Sequence, residues 1–152
     1  MADEDPAPSV LLDASALIAL LGGEPAAPEV RDVLGRGVAA MTTLNLAESV
    51  DRLERRYGLA AARTRPVIEG LLDDALTLVP LGPAEAWRAA EVRAVHYHRA
   101  RCPISLADAV LIASAGTDRQ IASADRHVLS VAASEGIAIT VLPDSRGRRA
   151  SV

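Results

Sequence analysis

Four carboxylates in this chain stand where a carboxylate could do chemistry. Asp13 separates the apolar run SVLL from ASALIALLGGE, Glu48 lies in LNLAESVDRLERRYG, Asp108 in ISLADAVLIASAGT, and Asp125 between RQIASA and RHVLSVAASEG. Each has a modest explanation. Asp13 and Asp125 could simply cap the helix that follows, while Asn45 with Glu48, and Ser105 with Asp108, have the spacing of a capping box. The four together allow more. Clustered carboxylates repel one another and raise at least one pKa, whereas Mg2+ or Mn2+, hard cations that prefer carboxylate and water oxygens, would turn the repulsion into a ligand set.

The elements around them decide whether they can meet. SVLL is a short apolar strand candidate, and the apolar positions 14, 17, 18 and 21 that follow have the spacing of one helix face, stopping at Gly22-Gly23. PEVRDVLGRG predicts a second helix, VAAMTT a strand, and LNLAESVDRLERRYG a helix closed by Gly58. LAAARTRPVIEGLLDDA predicts one or two helical pieces interrupted near Pro66, LTLVPL a strand, and PAEAWRAAEVRAVHYHRA a long helix opened by Pro83. ISLADAVLIASAGT and RHVLSVAASEG predict two more helices, RQIASAD and IAITVLP two more strands. Unalternating apolar strands separated by helices argue for an α/β fold, a mostly parallel central sheet with helices on both faces. In such sheets ligands bind beyond the carboxyl ends of the strands, where helices also begin, so four separate segments would aim carboxylates at one edge.

Composition narrows the chemistry. The chain has 152 residues, enough for one domain with a real core, and no Phe, so that core must be built mainly from Leu, Val, Ile and Ala. All 16 basic residues are arginine. Without lysine, a Walker P-loop, a Schiff-base enzyme and a receiver or haloacid-type phosphatase lose a required group. A formal net charge of −4 argues against global capture of nucleic acid, so any such binding is local. The lone Cys102 has no partner for a disulfide or a cysteine zinc site, which suits a reducing compartment, the cytoplasm by default. No apolar stretch approaches the roughly 20 residues a bilayer requires, and MADEDPAP lacks the features of a signal peptide. Residues 1–8 read as a disordered leader, 9–143 as the folded domain, and 144–152 as a basic exposed tail.

The motifs DASALIALL at 13–21, NLAE at 45–48, SLADA at 105–109 and SAD at 123–125 resemble the PIN-domain ribonucleases, and within them the VapC toxins of bacterial toxin–antitoxin pairs. The resemblance runs from about Val10 to Pro143. It implies a PIN-like domain that cleaves RNA endonucleolytically with Mg2+ or Mn2+, one or two ions, held by Asp13, Glu48, Asp108 and Asp125, the last either a weaker or second-site ligand or a general base through water. Ser15 matches the family's small hydroxyl residue two after the first Asp, and Ser123 replaces a frequent Thr two before the fourth acid. Both would orient carboxylates or water from behind. Val128 stands where the family often has an aromatic, a matter of packing. The family pattern also implies a homodimer silenced by a VapB-like antitoxin, often with a basic side chain at the carboxylates.

Substrate contacts are less legible. Arg52, Arg55 and Arg56 share helical spacing beyond Glu48, and Arg99 and Arg101 precede Asp108, so all five are candidates for RNA phosphates. A solvated face pairing with Asp51 and Glu54 is the preferred reading of the first three. His96 and His98 would diverge on a helix and are read as structural or surface residues, Cys102 as a helix-exit residue, and Trp87 as core or interface packing. A different class of function stays open: a non-catalytic PIN-like module whose acidic groove holds an arginine-rich partner. An Asp-nucleophile phosphatase or receiver also begins with an Asp after a strand, but lacks its lysine and a D-x-D motif here.

Overall fold

A computed structural model describes residues 9–152; the leader expected at 1–8 lies outside them. Strand β1 (Val10–Leu12) leads into helix α1 (Ala14–Gly22), followed by α2 (Ala27–Gly35), β2 (Ala39–Thr42), α3 (Thr43–Tyr57) and α4 (Ala61–Asp74). Then come β3 (Leu76–Val79), α5 (Pro83–His96), α6 (Leu106–Ala115), β4 (Gln120–Ser123), α7 (Arg126–Ser134) and β5 (Ile139–Val141). The sheet order is β3-β2-β1-β4-β5, and every neighbouring pair is parallel. The chain leaves β1 toward β2 and β3, then crosses to the other side at β4. That reversal opens a crevice at the carboxyl ends of β1 and β4, the general location of ligand sites in such sheets.

Pleating assigns the core. Val10 and Leu12 of β1 pack with Met41, Ala122, Leu17 of α1, Val30 of α2 and Ile68 of α4, whereas Leu11 faces Ala40, Ile121, Val92 of α5, Leu111 of α6 and Val128 of α7. Both faces are therefore covered, and small alanines let helices approach closely without any phenylalanine. Among the described residues, no helix is long and apolar enough to cross a membrane.

Four local expectations are corrected. Helix α4 runs unbroken through Pro66. The missing N–H costs one bond to the carbonyl of Ala62, which is exposed and can take water, while buried Thr64 and Ile68 on either side hold the helix to the core. Helix α5 stops at His96 rather than continuing to Ala100. His98 and Cys102 exchange backbone hydrogen bonds of 3.0 and 2.9 Å, and Nδ1 of His98 accepts from the amides of Ala100 and Arg101, so the turn consumes the groups a longer helix would need. Thus His98 is not on the helix, and Cys102 closes a turn rather than leading out of a helix. Trp87, 76% exposed, is not a core residue, so of the two packing readings only the core one is overturned.

Candidate active site

Asp13 ends β1 and is 4% exposed. It caps α1, Oδ1 accepting from the Ala14 amide at 2.6 Å, and its Oδ2 accepts from the hydroxyls of Ser15 (3.1 Å) and Ser123 (2.7 Å). Those hydroxyls in turn accept from the amides of Ala124 (3.1 Å) and Asp125 (2.9 Å), so both tie Asp13 to the segment bearing Asp125. Burial pushes the Asp13 carboxyl up to about 6; the Ser123 hydrogen bond opposes this, while the charges of Asp108 and Glu48 add to it.

Glu48 does not share a capping box with Asn45. Thr42 is the N-cap of α3, its side chain accepting from the Asn45 amide at 3.0 Å, which puts Glu48 in the second turn, free of capping duty. Its pKa is raised by burial first and by Asp108 next, against the pull of Arg52. Oε1 accepts from Arg52 Nη1 at 3.4 Å, while Oε2 is buried without a hydrogen-bond partner among the described residues. Asp108 does complete the expected box on α6: Oδ2 accepts from the Ser105 amide at 2.6 Å, and Ser105 Oγ from the Asp108 amide at 3.1 Å. Asp125 caps α7 through Oδ1, which accepts from the His127 amide at 2.7 Å.

These four carboxylates, from four separate segments, line a single open cleft of about 260 Å³ at the crevice. Glu24, Asp144, Arg52 and Arg56 line it as well. Of the arginine candidates, Arg52 pairs with Glu48, Arg56 with Glu24 at 3.3 Å, and Arg55 with Asp51 outside the cleft. Arg99 and Arg101 lie on the turn after α5, and neither lines the cleft.

Three participants escaped the sequence reading. Asn45 is fully buried; its Oδ1 accepts from Thr42 Oγ1 at 2.6 Å, which turns its Nδ2 toward Asp13 Oδ1 at 3.5 Å. The only signal was a Thr three residues ahead of an Asn. Glu24 is held at the rim by Tyr57, whose hydroxyl donates to it and whose ring lies over Gly22 so closely that a Cβ there would fall 2.9 Å from Cε2. Asp144 reaches the cleft from the segment beyond β5. For Asn45→Ala we expect a loss of about 1–3 kcal/mol in urea unfolding, because the Thr42 hydroxyl is stranded in a buried place.

The family profile of the PIN domain matches residues 10–149. The chain belongs to the PIN-domain family. Its fold is similar to that of solved proteins described as toxins or toxin–antitoxin complexes. VapBC from Salmonella typhimurium bound to DNA superposes with a TM-score of 0.60 at 20% identity, over 87% of this chain and 96% of that one. VapC20 of Mycobacterium tuberculosis, described as a sarcin–ricin loop cleaving toxin, gives 0.56 at 19% identity, over 70% and 80%. A toxin–antitoxin complex from Klebsiella pneumoniae gives 0.56 at 17%, over 77% and 87%. No significant match was found among curated proteins.

In this PIN domain the donors are all oxygens, and the unpartnered Oε2 of Glu48 beside a desolvated Asp13 is an arrangement that fits a divalent cation. Among the described residues no three Asp, Glu, His or Cys side chains already stand as a closed ligand set. Asp108 and Asp125 each give one oxygen to a helix N-terminus and Glu48 gives one to Arg52, which leaves each of the three a second carboxylate oxygen free of those bonds.

Proposed function

We propose that this PIN domain is a Mg2+- or Mn2+-dependent endoribonuclease, the toxin of a type II toxin–antitoxin pair, working in the cytoplasm as a homodimer and silenced by a VapB-like antitoxin. The observation that carries this reading is the convergence of Asp13, Glu48, Asp108 and Asp125 from four segments on one cleft. The descriptions of structural neighbours as toxins in toxin–antitoxin complexes, one of them cleaving the sarcin–ricin loop, are consistent with it.

Asp13, Glu48 and Asp108 would hold the principal ion, with Asp125 completing or adjoining it. When bound, one or two such ions lower the pKa of a water and stabilise charge on the departing oxygen. The protein's own side chains do the rest. Ser15 and Ser123 fix the rotamer of Asp13, and Asn45 keeps it from turning away. Asp125, exposed at the mouth with Oδ1 spent on α7, offers its other oxygen as acceptor for the proton of the attacking water. Substrate phosphates displace Arg52 and Arg56 from Glu48 and Glu24 or share them, since guanidinium groups bind phosphate as readily as carboxylate.

The test is incubation of total cellular RNA with purified protein, freed of contaminating nuclease and of antitoxin, in Mg2+, Mn2+ and EDTA. Discrete fragments that require metal are the expected result. One observation favours a second reading: two guanidinium groups already pair with carboxylates inside the cleft, as an arginine-rich partner would. Metal-independent binding of such a partner, with no cleavage under any metal, would establish the non-catalytic module instead.

A further inference from the structure

The segment after β5 changes the electrostatics beside the cleft. Asp144 accepts the amides of Arg146 (2.8 Å) and Arg148 (2.9 Å) through Oδ1, and Nε and Nη2 of Arg148 (3.1 and 3.0 Å) through Oδ2. Gly147, at φ +77°, lets the turn close. Arg149 then anchors it, gripping both carboxylate oxygens of Glu29 on α2 at 2.5 and 3.2 Å and donating to the Val141 carbonyl. The expected tail is exposed, yet pinned at a place where Asp144 and Ser145 form part of the cleft wall.

Six carboxylates and two guanidiniums line the cleft, and both guanidiniums are paired within it, so an RNA strand entering meets net negative charge. Immediately beside it lies a shallow pocket bounded by Arg126, Arg148 and Arg149, sharing Ala124 and Asp144 with the cleft. The sign of the charge inverts across that shared wall. Arg126 pairs with no carboxylate among the described residues, and Arg148 commits only two of its donors. We propose that this pocket is the seat of a backbone phosphodiester next to the scissile one, with Arg126 and Arg148 as its ligands and the Arg149–Glu29 clamp as what holds Arg148 in place. The proposal rests on the nuclease reading and adds to it where the strand leaves the metal site.

The experiment measures binding of a fluorescein-labelled, random-sequence single-stranded RNA pool by anisotropy in EDTA across a salt titration, with cleavage of total RNA in Mn2+ run in parallel. Arg126→Ala and Arg148→Ala should each weaken binding several-fold and flatten the slope of log affinity on log salt by about 0.7 for each phosphate that is no longer neutralised. Arg65→Ala, whose arginine pairs with Glu69 on α4, should change neither. Glu29→Ala is the sharper probe. It removes a negative charge, which by simple electrostatics strengthens RNA binding; weakened binding instead reads the loosened clamp. Wild-type protein that cleaves RNA while both arginine variants bind the pool as it does would overturn the seat and leave the nuclease standing. Wild-type protein that neither binds nor cleaves would remove the nuclease reading and the seat with it.

Discussion

Asp108→Asn is expected to lower RNA cleavage about 10²–10³-fold, the scale for removing one preorganised electrostatic group from a reaction site, while the fold stays intact. Asparagine keeps a side-chain oxygen for the Ser105 amide, so the start of α6 survives and only the charge and one oxygen's ligand strength are lost. Ser105→Ala is the complementary change. It deletes the hydroxyl that caps the Asp108 amide and should cost about 1 kcal/mol of stability, yet leave most of the cleavage rate. If Asp108 served only as a helix cap, the ranking would invert: Ser105→Ala would carry the larger effect on every readout and Asp108→Asn almost none. Single-turnover cleavage alongside urea unfolding of both variants decides between the two.

The second large effect is on stability. Asp13 titrates at about 6 in the fold against an ordinary 3.8, mainly because it is buried. A folded state that holds its proton more tightly than the unfolded chain is favoured at low pH. The stabilisation is complete below about pH 4 and is lost as pH rises through about 6, with a ceiling of about 3 kcal/mol. Raised Glu48 acts in the same direction. In EDTA, therefore, the protein should melt several degrees lower at pH 7.5 than at pH 5, taking about 2–4 °C per kcal/mol for a chain of this size. Asp13→Asn retains a good capping side chain and carries no charge, so its melting temperature should exceed that of wild type at pH 7.5 and converge with it at low pH. Added Mn2+ should reverse the order, stabilising wild type by mass action and the variant little. A variant less stable than wild type at pH 7.5 in EDTA would show that the charged carboxylate is held by its hydrogen bonds rather than strained by burial.

Much of the fold was legible because its signals are local. Short apolar runs followed by a polar cap and a helical stripe, as at β1 and β4, mark strand-helix units without reference to anything distant, and Asp13 and Asp125 could be placed from that pattern alone. What failed depended on partners far along the chain, on one competing cap, or on a short turn that outcompeted the continuing helix. Thr42 captured the N-terminus of α3 three residues ahead of Asn45, which moved Glu48 out of the first turn and made Asn45 a neighbour of Asp13. The turn that ends α5 is set by Cys102 reaching back to His98. The clamp between Arg149 and Glu29 spans 120 positions, a pairing no window can show. Trp87 reads in the sequence as core or interface packing, and the helix face it occupies is turned to solvent, which excludes the core.

The position of β1 in the middle of the sheet has a consequence for synthesis. Its outer partner β4 and the Ser123 hydroxyl that steadies Asp13 come 110 residues later. Pairing at such separation waits on loop closure and cannot begin until the distal strand exists. On the ribosome, where chains emerge amino end first, β1, β2 and β3 can associate early, but the cleft has no second wall until Asp125 and the segment around Asp144 have left the exit tunnel. Whatever chemistry the cleft performs, its four carboxylates cannot be brought together before Asp125 has emerged.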